Sequence, residues 1–140
     1  MDNVNNQNQD ILNIMLIEDD FDHAELTKRI ISNLGKTVKL IHVKSGEKAL
    51  DYLLHKCNAN KVNEIDLIIL DLRLPGIDGI DILKRIKETK EIKGIPVMVL
   101  STSGFNHDKN LAKKHKANYY LVKPLDQKEF IKTLKELKLF

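Results

Sequence analysis

Four short polar clusters carry the residues of this chain that could do chemistry: Glu18-Asp19-Asp20, Asp71, Ser101-Thr102 and Lys123. Asp71 is the least ordinary of them. It ends the apolar run Leu67-Ile68-Ile69-Leu70 and precedes a Pro75-Gly76 turn, so a buried strand delivers a carboxylate to its own tip. An ionised carboxylate resists burial unless something pairs with it. If Glu18 and Asp19 lie beside Asp71, like charges about 4 Å apart repel by about 4 kcal/mol at an effective dielectric of 20. Either one group holds a proton or a cation sits between them. An all-oxygen donor set with no nearby His or Cys selects a hard cation. Magnesium comes ahead of calcium, because a few carboxylates plus several waters is the magnesium habit. The acids are also too scattered for a calcium loop, which gathers its ligands within about twelve residues.

Ser101 and Lys123 complete a set of carboxylate, divalent cation, hydroxyl and ammonium. Such a set suits phosphoryl transfer, which needs charge neutralisation and in-line positioning more than covalent help. Asp71 is then the nucleophile, ending as an aspartyl phosphate. Magnesium and Lys123 offset charge on the equatorial oxygens, and Ser101 hydrogen-bonds one of them. Taken singly, each residue has an ordinary explanation: Asp20 or Asp22 as a helix cap, Ser101 as a strand-end hydroxyl, Lys123 as a surface lysine. Their joint occurrence at four strand ends carries the reading.

The elements that must position these residues alternate along the chain. Residues 11–17 read as a first strand, and Leu26, Ile30, Ile31 and Leu34 give residues 21–34 helical spacing, with Gly35 as the stop. Residues 38–43 alternate as a second strand. Ser45 can cap the next helix, whose stripe is Ala49, Leu50, Leu53, Leu54 and Cys57; Cys57 reads as a core filler. After a polar loop at 58–64 come a third strand, 65–70, and a helix from Gly79 using Ile80, Leu83 and Ile86. Residues 97–100 form a fourth strand and 101–105 a small-residue loop. A polar helix over 106–116 and a fifth strand over 119–122 follow. Asp126 and Glu129 have capping-box spacing for a last helix holding Phe130, Ile131, Leu134 and Leu137. Five strands alternating with five helices predict an α/β fold, a parallel sheet covered on both faces, whose working site lies beyond the strands' C-terminal ends.

With 140 residues, 42% hydrophobic and 31% charged, one domain with one core is expected at 11–140, preceded by a flexible, Asn/Gln-rich tail at 1–10. No apolar run approaches a membrane span and no export signal is visible. A single cysteine fits a reducing compartment, so the expected location is cytoplasmic. A net charge of +3 is too mild to argue for nucleic acid. Residues 105–140 nevertheless hold nine lysines against four acids, which reads as a solvated flank or as a docking face for an acidic partner.

Four segments in this order resemble the response-regulator receiver domain of two-component signalling, over about residues 12–138. They are Ile-Glu-Asp-Asp at 17–20, Leu-Asp-Leu-Arg-Leu-Pro-Gly-Ile-Asp-Gly at 70–79, Val-Leu-Ser-Thr-Ser at 99–103 and Tyr-Tyr-Leu-Val-Lys-Pro-Leu at 119–125. The details are most similar to stand-alone receivers of the cyanobacterial phytochrome type. The resemblance implies a flavodoxin-like (βα)5 sheet of order 2-1-3-4-5. It implies Asp71 as phosphoacceptor, Asp19 as direct magnesium ligand, Glu18 as a second, often water-mediated one, and the Arg73 carbonyl completing the protein's share of the shell. It implies Ser101 and Tyr120 as switch residues, Lys123 as the phosphate-binding lysine and a cis Lys123–Pro124 bond. The donor would be a phosphohistidine of a sensor kinase, and none of the chain's five histidines has a context that marks it as that donor. Apart from its own phosphorylation and dephosphorylation, no enzymatic activity is implied.

Departures from the family pattern are Glu18 for the commoner Asp and Ser101 for the commoner Thr. Arg73 and Ser103 flank the attack path in the family and are expected to modulate phosphate lifetime. Before phosphorylation Ser101 is expected to lack a strong partner and Tyr120 to be free to point outward. Phosphate would move the face made by the fourth helix, fifth strand and fifth helix, tightening homodimerisation or binding of a downstream protein. No helix-turn-helix is visible, so direct DNA binding is not expected. Of the rivals, an aspartyl phosphatase needs an acid where Arg73 stands, and a nucleotide-binding phosphate loop is absent. In a flavodoxin-like electron carrier, the three acids after the first strand would repel the cofactor phosphate. A phosphorylation-independent scaffold and a phosphorelay intermediate remain as alternatives.

Overall fold

The run Leu67–Leu70 (β3) is buried along its whole length and is the middle strand of five. The computed structural model describes residues 11–56 and 65–140. The expectations for the tail at 1–10, for Cys57 and for the loop at 58–64 lie outside the described residues. The other strands are Leu12–Ile17 (β1), Val38–Val43 (β2), Val97–Ser101 (β4) and Tyr119–Val122 (β5). All pair in parallel, in the order β2-β1-β3-β4-β5. The expected flavodoxin-like α/β fold is therefore the observed one.

Helices cover both faces, which is why the central strands are continuous apolar runs rather than alternating ones. They are Phe21–Ser32 (α1), Gly46–Asp51 (α2), Gly79–Glu88 (α3), Asn106–Lys114 (α4) and Gln127–Glu136 (α5), with α2 running on into a π-helical turn at Tyr52–Lys56. Alternate strand residues feed two cores. Met15, Ile17, Ile68, Leu70 and Val99 pack with Leu53, Ile82, Leu83 and Ile86 on one face. The strand positions of the other parity, Ile14, Leu16, Ile69, Met98 and Leu100, pack with Ala24, Ile31, Phe130 and Leu134 on the opposite one. Each large aliphatic side chain so buried contributes roughly 1.5–3 kcal/mol.

The helix starts follow their caps. The side chains of Asp20, Ser45, Asp78 and Asp126 accept backbone N–H bonds from His23, Lys48, Ile80 and Glu129, each satisfying a donor that the first turn leaves open. Gly35 takes φ +72° just past α1, the left-handed geometry that ends helices. One sequence expectation needs correction: Leu26 belongs to the helical stripe by spacing but is 52% exposed. Ala24, Thr27 and Ile31 face the sheet instead, so the buried stripe of α1 is rotated by about one residue and Leu26 borders it.

Two features hold the loop after β3 against the sheet. A Cβ on Gly79 would overlap Leu72 Cα and lie 2.7 Å from the Asp71 carbonyl oxygen, so only glycine lets α3 start this close to the strand tip. The Gly79 N–H donates to Leu72 O at 3.1 Å. The Lys123–Pro124 peptide after β5 is cis, as the resemblance implied. Among the described residues no helix is long and apolar enough to cross a membrane.

Candidate functional site

Parallel register brings the first acids together. Ile17 pairs with Leu70, so Glu18 and Asp71 leave neighbouring strands side by side. Their backbones are fixed there, Asp71 N–H donating to Ile17 O and Glu18 N–H to Val43 O, each at 3.1 Å. Ser101 pairs with Val122, which sets Lys123 one residue beyond the end of β5. Glu18 and Asp71 are 1% and 6% exposed, while Asp19 faces solvent. Ligand oxygens of Glu18, Asp19 and Asp71 all lie within 4.8 Å of one another. Asp19, Asp20, His23, Asp71, Arg73, Thr102 and Lys123 line a cleft of about 210 Å³ over this point.

Each buried polar side-chain atom in the cluster has a partner. Asp71 Oδ1 accepts from the Arg73 N–H at 3.1 Å, and Asp71 Oδ2 lies 3.4 Å from Lys123 Nζ. Lys123 Nζ also donates to Glu18 Oε1 and lies 3.1 Å from His23 Nδ1. Glu18 Oε2 accepts from the Asp20 N–H at 3.2 Å. Burial, and then the adjacent Asp71 carboxylate, push the Glu18 carboxyl up to about 7, against the opposing pull of Lys123. The hydrogen bond from the His23 N–H holds exposed Asp20 below its usual value, consistent with its capping role.

The donor set fits a hard divalent cation. Three carboxylates with oxygens this close are costly to keep ionised together, and Glu18 takes up a proton readily when no cation is there to replace it. An exposed Asp19 beside two buried acids leaves solvent access for the waters that a small divalent cation would keep.

Of the residues singled out by sequence, Glu18, Asp19, Asp71 and Lys123 meet at one point. Ser101 is buried behind it, and its Oγ accepts from the Ser103 N–H at 3.1 Å. The expectation that Ser101 lacks a strong partner is therefore corrected: the loop after β4 folds back on its own first hydroxyl. Tyr120 is part-buried and donates through its hydroxyl to Ser103 O at 2.7 Å, so in this conformation it is tied to the same loop. Ser103 is buried, with Oγ accepting from the Phe105 N–H at 3.3 Å; Thr102, not Ser103, lines the acid cleft. Arg73 contributes its N–H to Asp71, and the residue is exposed. Sequence reasoning missed His23 and gave Thr102 no role. No spacing rule could have joined His23 to Lys123, which stands 100 positions away.

The sequence model of the response regulator receiver domain matches residues 14–135. The chain is 37% identical over 126 residues to the probable methanogenesis regulatory protein FilR2 of Methanothrix harundinacea, covering 89% of this chain and 80% of that protein. It is 30% identical over 127 residues to response regulator Rcp1 of Synechocystis sp., covering 91% and 86%. The Mn²⁺-bound form of Rcp1 superposes with a TM-score of 0.71 at 30% identity, covering 92% and 93% of the two chains. The phosphorylated cyanobacterial phytochrome response regulator RcpA gives 0.74 at 30% identity, covering 91% of each chain. With its sheet order, its acid cluster and these matches over most of its length, the chain belongs to the response regulator receiver domain family of two-component signalling.

Proposed function

We propose that this receiver accepts a phosphoryl group on Asp71 from the phosphohistidine of a sensor kinase, with magnesium held by Glu18, Asp19, Asp71 and the Arg73 carbonyl. The observation that carries the reading is the state of the Asp71 carboxylate. One oxygen is held by the Arg73 N–H, and the other faces Lys123 beside two further acids. An Asp71 oxygen attacks phosphorus, the P–N bond breaks, and the imidazole leaves with the bonding pair, neutral because its other ring nitrogen already carries a proton. A divalent cation held by these residues would supply neutralisation of the negative charge gathered at the site. Lys123, 3.4 Å from Asp71 Oδ2, is placed to neutralise a further oxygen, and Asp71 is oriented by the Arg73 N–H before any donor arrives.

The signal would leave through the loop after β4. For Ser101 to hydrogen-bond a phosphoryl oxygen, its Oγ must reorient away from the Ser103 N–H that it now accepts from. The same segment carries the carbonyl that holds Tyr120 and the N-cap of α4. Phosphate thus biases two arrangements of one hydrogen-bonded unit, with the α4-β5-α5 face as the readout. The similarity to the cyanobacterial phytochrome response regulator RcpA favours a phytochrome-like kinase as donor, and the lysines of this face favour a downstream protein with acidic character. A small phosphodonor with Mg²⁺ should add one base-labile, hydroxylamine-sensitive phosphate, seen by intact mass, and Asp71→Ala or a chelator should abolish it. A wild-type chain that takes up no phosphate under these conditions overturns the proposal.

A further inference from the structure

The Lys123 ammonium has three N–H donors and no acceptor, and three elements meet it. Glu18 follows β1, Asp71 follows β3, and His23 stands in the first turn of α1. Because an ammonium only donates, His23 Nδ1 at 3.1 Å must be the acceptor, which puts the ring proton on Nε2. Two of the three partners change their bonding when the site works. Glu18 and Asp71 are the acids that a divalent cation would engage, and Asp71 is the residue to be phosphorylated. The neutral imidazole is the partner that persists.

The main chain of His23 is fixed: its backbone N–H donates to the capping Asp20 Oδ1 at 2.9 Å. With Thr102 and Lys123, His23 lines both the acid cleft and a neighbouring groove of about 310 Å³ bounded by Leu26, Thr27, Pro124 and Leu125. A lysine stem is long and rotamer-rich, so holding its head group costs conformational entropy. An acceptor without charge can hold the ammonium without drawing its positive charge away from phosphorus, as a third carboxylate would.

We propose that His23 is a positioning residue that holds the Lys123 ammonium over Asp71 for phosphoryl transfer; the proposal rests on the Asp71 phosphorylation proposed above. The test uses the full chain as wild type, His23→Leu, which removes the acceptor, and His23→Asn, whose Oδ1 can take the place of Nδ1. At saturating Mg²⁺, phosphoramidate should phosphorylate His23→Leu about tenfold more slowly than wild type, the effect of losing one charge-assisted hydrogen bond. The Mg²⁺ dissociation constant should move less than about twofold, since His23 touches no metal ligand side chain. His23→Asn should recover most of the rate. A second readout needs no phosphorylation: in ¹⁵Nζ-lysine-labelled protein, the ordered Lys123 ammonium signal, assigned by its loss in Lys123→Met, should broaden in His23→Leu and return in His23→Asn. An unchanged Lys123 signal in His23→Leu, or His23→Asn as defective as His23→Leu in that signal, overturns the proposal. If wild type itself takes no phosphate, phosphorylation of Asp71 is what fails, and the ammonium spectra still decide whether His23 holds Lys123.

Discussion

Lys123 and Glu18 form an ion pair buried at the mouth of the sheet, with Glu18 almost inaccessible and Asp71 3.4 Å from the same ammonium. One cation therefore serves two buried acids. Burial raises the Glu18 pKa first, and the neighbouring Asp71 that shares Lys123 raises it further.

The sign of the pH dependence follows. Glu18 titrates near its ordinary value of 4.5 in the unfolded chain and at about 7 in the folded one. Between these values the native state holds a proton that the unfolded state has lost, so this group's contribution to stability is full below about 4.5 and falls as pH rises through about 7. A divalent cation displaces that proton. Urea unfolding from pH 5 to 8 should show this decline without Mg²⁺, a smaller decline in Glu18→Gln, and a flatter profile with saturating Mg²⁺. Magnesium affinity should weaken as pH drops below about 7. Identical profiles for wild type and Glu18→Gln would sink the argument.

Removing the ammonium separates its two effects. Lys123→Met leaves Glu18 and Asp71 without their shared cation. Stripping one partner from a buried pair typically costs about 3–5 kcal/mol, and proton uptake by Glu18 should reduce that to about 1–3 kcal/mol at pH 7. The same change removes a competitor for the carboxylates, so Mg²⁺ should bind more tightly to Lys123→Met than to wild type by calorimetry. Weaker binding would show that Lys123 shapes the metal site rather than competing for it.

How far the sequence reaches can be judged from particular residues. The strand cores were legible because β1, β3 and β4 are buried on both faces and read as apolar runs. Glu18 and Asp71 were legible because each follows directly on such a run, and Lys123 because it follows the short, part-buried β5. Leu26 was misplaced because helical periodicity gives a stripe but not its rotation against the sheet, and the short Ala24 and Thr27 take the close contact. The Ser101–Ser103 bond and the Tyr120 hydroxyl on Ser103 O depend on how a loop folds back on itself. Neither spacing nor hydropathy encodes that.

Gly79 gives a packing prediction at the loop that aims Asp71. A methyl group there meets backbone, overlapping Leu72 Cα and lying 2.7 Å from the Asp71 carbonyl oxygen, and backbone cannot step aside. At Gly46 the nearest atoms are Cδ1 and Cγ1 of the Ile82 side chain, the latter at 2.6 Å, which can change rotamer. Gly79→Ala should therefore lose about 2–4 kcal/mol and Gly46→Ala about 1–2 kcal/mol. Gly79→Ala should also slow phosphorylation by shifting Asp71. Equal losses in stability by chemical denaturation would contradict this account.

Tyr120→Phe tests the loop latch. It removes the hydroxyl that donates to Ser103 O at 2.7 Å and should cost about 0.5–1.5 kcal/mol. Backbone amide exchange should rise in residues 102–105, while Mg²⁺ affinity is unchanged because no metal ligand is touched. Protection equal to wild type in that loop would mean that the bond does not order it.

The final prediction concerns what the α4-β5-α5 face meets. Residues 105–140 carry nine lysines against four acids, and Val122 and Phe105 stand exposed nearby. Two copies of this face brought together place like charges close, and salt would relieve that repulsion within a screening length of about 10 Å at 0.1 M. An acidic partner on the same face would instead be released by salt. Sedimentation of the protein loaded with a phosphoryl mimic should therefore show any self-association growing between 0.05 and 0.5 M NaCl, roughly the range over which screening becomes strong. Capture of a poly-glutamate peptide should fall over the same range, and Lys→Glu changes at Lys109 and Lys132 should weaken it further. Self-association that weakens with salt would assign the contact to specific ion pairs between copies, and peptide capture indifferent to salt would remove the case for an acidic partner.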